Sequence, residues 1–222
     1  VLAAAHMGAD IINMSWGSYG DCTPSYQSLL NVLFNDYDVI LVAGSGNGGV
    51  NGHTNFDNMT PSSCENVISV SAVDPGDSFG CWATAGPTVD LCAPGRNIIT
   101  TDVQGGYTTV LGTSFSSPIT SGAIALLWSK LPTMDKQEVI DKILGSTDQF
   151  EDMDGMCFGN SLSGMLGSGR LNINKAIRSE IYPNLYIQDV NHLDDSDGDG
   201  IFNPGETIKI KIEVSNDEGW SI

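Results

Sequence analysis

The chain has 222 residues, enough for one sizeable hydrophobic core and a small appendage. Nine basic residues stand against 27 acidic ones, a net charge of −18 that repels nucleic acid and anionic lipid and favours cations. No apolar run approaches the roughly 20 residues of a membrane-spanning helix, so neither nucleic acid nor a membrane is expected as a partner.

Taken in chain order, Leu2 to Met7 reads as the tail of a helix with no cap ahead of it. With neither an initiator methionine nor a signal peptide, the chain is expected to be a processed piece or a fragment. Ile11–Ser15 reads as a strand. Ser25–Phe34 reads as a helix, with Tyr26, Leu29, Leu30 and Leu33 on its apolar face. Val39–Ala43 is a continuous apolar strand, as expected where helices cover both faces of a sheet. The glycine-dense run from Gly44 to Gly52 suits a backbone that approaches a ligand. A further strand, Val67–Ala72, follows a loop containing Thr60-Pro61. Short strands are expected at Val89–Ala93, Ile98–Thr101 and Thr108–Leu111. A buried helix spans Ser114–Lys130 and stops at Leu131-Pro132. The box Asp135-x-x-Glu138 opens another helix, with apolar Val139, Ile140, Ile143 and Leu144. This alternation predicts an α/β fold, a three-layer sandwich with a mainly parallel sheet.

The pattern changes near Arg178–Pro183, so residues 1–180 read as one domain and 181–222 as a β segment. Leu185–Val190 and Thr207–Val214 are its strands, the second with clean alternation of charged and apolar residues. Two strands are too few for a stable module. Either an accessory β-domain starts here or the strands pack on the first domain. Between them, residues 195–206 fit the pattern D-x-[DN]-x-[DN]-G-x₅-E. Asp195, Asp197, Asp199, the Ile201 carbonyl, Asn203 and Glu206 supply hard oxygen donors, and Gly200 permits the turn, so Ca²⁺ is the expected cofactor. An acidic linker is the plainer alternative. A surface adapted to salt or cold would likewise account for the overall charge.

Leu111-Gly112-Thr113-Ser114-Phe115-Ser116-Ser117-Pro118 sets one serine at the start of a buried helix. Unpaired N–H groups and a partial positive charge at that end would stabilise an oxyanion beside Ser114, and its own N–H can contribute. A serine-rich helix cap is the competing explanation.

The motif Gly112-Thr113-Ser114…Pro118 resembles the nucleophile motif of the subtilisin-like serine proteases (subtilases). Further similarities follow in order over residues 1–178: Asp10–Gly17, Val39–Asn47, Val67–Asp74, Val89–Gly95 and Gly169–Asn172. The resemblance implies Ser114 as nucleophile and Asn47 as oxyanion donor. It also implies a substrate cleft walled by Ser15-Trp16-Gly17 and by Gly44-Ser45-Gly46, between which an extended peptide or protein substrate adds as a strand. Gly44 and Gly46 are expected to leave room for a large apolar side chain. Trp16 could equally pack in the core. A proline at the place of Pro61 is often cis in this family.

The family's catalytic Asp and His would both precede the matched residues. None of the three histidines stands in the expected Gly-Thr-His context. His6 closes a helix, His53 lies in a polar loop, and His192 lies beside the acidic loop. The Asp and His are therefore expected from a segment absent from this chain, which alone should be inactive. The family also implies secretion, which makes disulfides plausible for the five cysteines. Cys81 and Cys92 flank the Gly86-Pro87 turn and are the favoured pair. One thiol is left free or paired outside the chain. A non-catalytic relative serving as a binding module remains open. Another α/β serine hydrolase is weaker, because no Gly-x-Ser-x-Gly elbow surrounds Ser114.

Overall fold

The computed structural model describes residues 1–48, 58–181, 185–194 and 209–216. Its backbone forms two compact units, Val1–Ala176 and Ile177–Ile222.

In the first unit, strands β1 (Ile11–Met14), β3 (Ile40–Gly44), β5 (Val67–Asp74) and β7 (Leu91–Pro94) form a parallel sheet in that spatial order. β2 (Ser18–Tyr19) pairs with β4 (Met59–Thr60) beside it, and β6 (Ser78–Phe79) adds antiparallel to the end of β5. Every residue of β3 is buried, as is all of β5 except Asp74. That is the behaviour of parallel strands covered on both faces.

Side-chain alternation sorts the two faces. Ile12, Met14, Leu41 and Ala43 cluster with Ala5 of α1 (Leu2–His6) and with Leu30 and Leu33 of α2 (Pro24–Asn35). Asn13 and Gly44 face the opposite way, onto α3 (Thr113–Lys130). The result is the expected three-layer α/β arrangement. α2 starts where Thr23 Oγ1 accepts from Tyr26 N, with Pro24 as first helical residue. α4 (Lys136–Gly145) carries the capping box read from the sequence: Asp135 Oδ1 accepts from Glu138 N at 2.9 Å, and Glu138 Oε2 from Asp135 N at 2.7 Å. Val139, Ile140 and Ile143 make its buried face.

α3 lies across β1, β3, β5 and β7. Its buried side chains begin small and polar, with Thr113, Ser116, Ser117 and Thr120, and become apolar at Ala123, Ile124 and Leu127. Small hydroxyl side chains let the helix approach the sheet and still find partners. Ser117 Oγ donates to Asn13 Oδ1 at 2.6 Å, Ser116 Oγ to the Pro94 carbonyl at 3.1 Å, and Thr120 Oγ1 to the Ser116 carbonyl at 3.1 Å.

Beyond the sheet, β8 (Arg96–Thr101) and β9 (Tyr107–Leu111) form a hairpin that runs directly into α3. β10 (Met156–Cys157) and β11 (Asn160–Ser161) form a second, short one. One helix escapes the sequence reading: α5 (Ile173–Ile181), which starts where Asn172 Oδ1 accepts from Lys175 N at 2.9 Å. The signal was an asparagine cap just ahead of Ile173. The second unit contains β12 (Leu185–Asp194), paired antiparallel with β13 (Lys209–Asn216). The proposed calcium loop and His53 lie outside the described residues.

The favoured Cys81–Cys92 pair is overturned. The disulfides are Cys22–Cys64 and Cys81–Cys157, with Cα atoms 5.2 and 5.7 Å apart. Cys92 sits inside β7, opposite Ser71 of β5, and its Sγ approaches the Leu166 carbonyl at 3.6 Å. The sheet thus holds Cys92 in the core, while β10 brings Cys157 to Cys81. Burial pushes the free Cys92 thiol up to about 12, so it stays protonated and unreactive.

Asp90 is a second titratable group, and a partly buried one. Burial raises its carboxyl above the ordinary 3.8, opposed in part by the Ser69 N–H, which donates to Oδ2 at 2.7 Å. The folded state therefore holds this proton to higher pH than the unfolded chain does. The carboxyl's contribution to stability is greatest below about pH 3.8 and falls as pH rises through the higher folded value. Asp90→Asn keeps an acceptor for Ser69 and removes the charge. Its stability relative to the native sequence should rise from acidic to neutral pH, measured by urea unfolding across that range. A pH-independent difference would exclude this account.

Candidate active site

Ser114 is the second residue of α3, preceded by Gly112 at φ +152°. That backbone conformation is open almost only to glycine, which explains Gly112 in the motif. It turns the chain from β9 into the helix and leaves the Ser114 N–H among the first, unpaired donors of α3.

Asn47 lies at the end of β3. Its Oδ1 accepts from Thr113 N at 2.9 Å and from Thr113 Oγ1 at 3.2 Å. Thr113 Oγ1 in turn accepts from Gly46 N at 3.1 Å. The carbonyl end of the Asn47 amide is therefore fixed, and its Nδ2 points to the helix start: a Cβ added at Gly112 would lie 3.5 Å from it. Nucleophile and amide, expected from separate motifs, are brought together by one threonine.

Ser15 joins them from the other side. Pro118 has no N–H, so the Ser114 carbonyl four residues earlier lacks its helical donor. Ser15 Oγ donates to that carbonyl at 2.8 Å, and Ser114 Oγ approaches the Ser15 carbonyl at 3.5 Å. Asn13 Nδ2 donates to Ser15 Oγ at 2.8 Å and completes the chain of bonds. Pro118 is thus a positioning residue that sequence reading left unexplained. Its signal was its place four residues beyond Ser114.

The other wall residues need correction in detail. Trp16 is not a core residue; it is 53% exposed. Gly17 packs so closely on β4 that a Cβ would lie 2.5 Å from the Thr60 carbonyl. Gly44 and Gly46 themselves have no space for a Cβ. A Cβ on Gly44 would meet the Thr113 carbonyl oxygen at 2.9 Å, and one on Gly46 would meet Met59 Sδ at 2.7 Å and Thr84 Oγ1 at 2.9 Å. These glycines exist for close packing under the site. Ser45 is buried and donates through Oγ to the Thr84 carbonyl at 2.9 Å, so its side chain holds the fold. Thr84 N also donates to the Gly46 carbonyl at 2.8 Å. An open cleft of about 560 Å³ begins at Trp16 and Gly17 and continues along Tyr19, Asp21 and Tyr26 to Pro61, whose peptide bond with Thr60 is cis.

Among the described residues, Ser114 Oγ has no histidine partner. His6 lies in α1, with Nδ1 3.4 Å from the Tyr37 hydroxyl. No group of three or more His, Cys, Asp or Glu residues able to hold a metal occurs among the described residues. No described helix is long and apolar enough to cross a membrane.

The Thr113 hydroxyl can be tested directly. Thr113→Val removes the acceptor of the buried Gly46 N–H and one donor to Asn47, and should cost about 1–3 kcal/mol. Urea unfolding gives the value. A loss below about 0.5 kcal/mol would mean that the clasp contributes less than an ordinary hydrogen bond.

Residues 1–169 match the profile of the subtilase family. Subtilisin DY of Bacillus licheniformis is 31% identical over 149 residues, covering 67% of this chain and 53% of that protein. A thermophilic serine proteinase of Bacillus sp. (strain AK1) is 37% identical over 131 residues, covering 59% of this chain and 31% of that protein. Among solved structures, the prenylagaramide maturation protease PagA superposes with a TM-score of 0.68 at 30% identity, covering 80% of this chain and 64% of that chain. The chain thus spans about half the length of subtilisin DY and under a third of the AK1 proteinase. The matched residues take in the Gly44–Asn47 strand end, the Ser114 helix start and the parallel sheet between them, and the chain belongs to the subtilase family.

Proposed function

We propose that this chain carries the nucleophile half of a secreted serine endopeptidase. The observation that carries the reading is the clasp of Asn47 on Thr113, which aims an amide N–H₂ at the helix start bearing Ser114. Ser114 Oγ attacks the scissile carbonyl. Asn47 Nδ2 and the Ser114 N–H hold the oxygen that becomes negative, as preorganised donors that need no rearrangement during reaction. The proton from Ser114 passes to a histidine oriented by an aspartate, both supplied by polypeptide outside these 222 residues. Extended substrate lies along Ser15-Trp16-Gly17, beside the cleft. The protease character of the relatives supports this reading, and extracellular relatives such as that of Xanthomonas campestris support secretion.

In the completed enzyme, Asn47→Ala should lower kcat by about 10²–10³ with little change in KM. An equal loss in binding and none in turnover would remove Asn47 from the oxyanion site. The 222-residue chain alone should neither cleave casein nor react with a phosphonofluoridate, because a serine hydroxyl without its base is a poor nucleophile. Mass-spectrometric labelling of Ser114 in that chain would reverse the conclusion.

We also propose that Asp195, Asp197, Asp199, the Ile201 carbonyl, Asn203 and Glu206 hold Ca²⁺. The donor set is all oxygen, which suits a hard cation of high coordination number. The ion would supply cross-linking of an acidic loop, remote in sequence from Ser114. Calorimetric titration with Ca²⁺ should show one binding event that Asp197→Ala weakens at least about tenfold. No heat in the native chain would leave an acidic linker.

A further inference from the structure

The cleft beside the substrate wall has a chemistry that the proteolytic mechanism does not use. Three aromatic side chains line it, Trp16, Tyr19 and Tyr26, together with Pro61. Asp21 is the sole charged residue among those lining it. The adjoining open cleft repeats the sign, with Asp21 and Glu65 as its charged residues. Aromatic faces attract cations, and walls of one charge sign focus the field of their carboxylates.

The cleft is also built rather than loose. β2 pairs with β4 through Ser18↔Thr60 and Tyr19↔Met59. Gly20 N donates to the Asn58 carbonyl at 2.9 Å, Thr60 Oγ1 to the Gly20 carbonyl at 3.0 Å, and Asn58 Nδ2 to Asp21 Oδ1 at 2.7 Å. The Cys22–Cys64 disulfide closes the same loop. Asp21 is held by one oxygen, while Oδ2 has no partner among the described residues. A fixed aromatic cleft with one available carboxylate oxygen loses little entropy on binding.

We propose that this cleft is a specificity subsite for a cationic substrate side chain, arginine above lysine. Arginine is favoured because its planar guanidinium both stacks on rings and donates to a carboxylate. The inference rests on reading Ser15–Gly17 as the substrate wall. Ser15 touches Ser114, and an extended chain advances about 3.3 Å per residue, so the cleft meets a side chain roughly two to four residues from the scissile bond. The strongly acidic protein surface attracts basic peptides in the same sense.

Binding tests this without catalysis. The full chain carrying Ser114→Ala would be titrated calorimetrically with acetyl-X-Ala-Ala-Leu-amide, where X is arginine, citrulline or leucine. Amide NMR would report which residues shift. The arginine peptide should bind about tenfold tighter than the citrulline peptide, its uncharged isostere, with shifts centred on Trp16–Tyr26. Asp21→Asn keeps the carbonyl that Asn58 bonds and removes the charge; it should cut the preference below about threefold. Equal affinity for the three peptides, or a preference that survives Asp21→Asn, overturns the proposal. Cleavage by the completed enzyme is a separate measurement. An inactive enzyme that still prefers arginine sinks the proteolytic reading alone, and an active enzyme with no arginine preference sinks this one alone.

Discussion

The Thr113 hydrogen bonds are the constraint on which the rest depends. Thr113 is the first residue of α3, yet its N–H and hydroxyl are both engaged by the end of β3. A helix start ordinarily leaves its first donors to water or to its own cap. Here Gly112 offers no capping side chain, and Asn47 takes that role from the loop after β3. The same bonds that finish the helix therefore fix the separation between a serine and an amide. Stability and site geometry share one set of atoms, which explains why Gly44 and Gly46 must be small: Thr113 and Met59 occupy the space that a side chain would need.

Pro118 contributes in the opposite way, by removing a bond. The carbonyl it leaves open belongs to Ser114, and Ser15 closes it from β1's end. Ser114 thus has one tie to the loop after β3 through Thr113 and one to the loop after β1. The part-buried bond from Ser15 Oγ contributes about 0.5–1.5 kcal/mol net, the range of an ordinary hydrogen bond. Hydrogen bonds join the loop that begins at Ser15 to the helix that begins at Thr113, and the exposed Trp16 follows directly on Ser15. Disulfide Cys22–Cys64 adds a covalent link beyond the cleft.

The interior balance is unusual in one respect. α3 meets the sheet through serines and threonines at its first turns and through aliphatic residues only later. Hydroxyls forfeit some hydrophobic gain but donate at close range to backbone carbonyls and to Asn13 Oδ1. Close approach is what brings the helix start over the strand ends, where the candidate chemistry is. The partly buried Asp90 and the buried Cys92 are the cost and the quiet consequence of the same compact sheet. One is a carboxylate held by a single backbone N–H; the other is a thiol kept protonated.

The order and type of the main elements were legible in the amino-acid sequence. The continuous apolar run at Val39–Ala43 reads as a strand buried on both faces, the β-branched Val67–Ala72 run with Ser69 and Ser71 as another, and Asp135-x-x-Glu138 as a helix start. The sequence also marked Ser114 and Asn47, because both motifs end a strand or start a helix with small residues around one polar group. α5 was legible in principle from the Asn172 cap and from Ile173, Ala176, Ile177 and Ile181 at helical spacing. What only the tertiary structure decided were relations between residues distant in the chain. Cys81 found Cys157 and not Cys92, because sheet register committed Cys92 to the core. The glycines beside Asn47 proved to be packing contacts, and Trp16 proved to be exposed. Periodicity reports which face of an element is apolar. It carries no information on which atom of another element comes to lie against it, and the ties among Thr113, Asn47, Pro118 and Ser15 are all of that second kind.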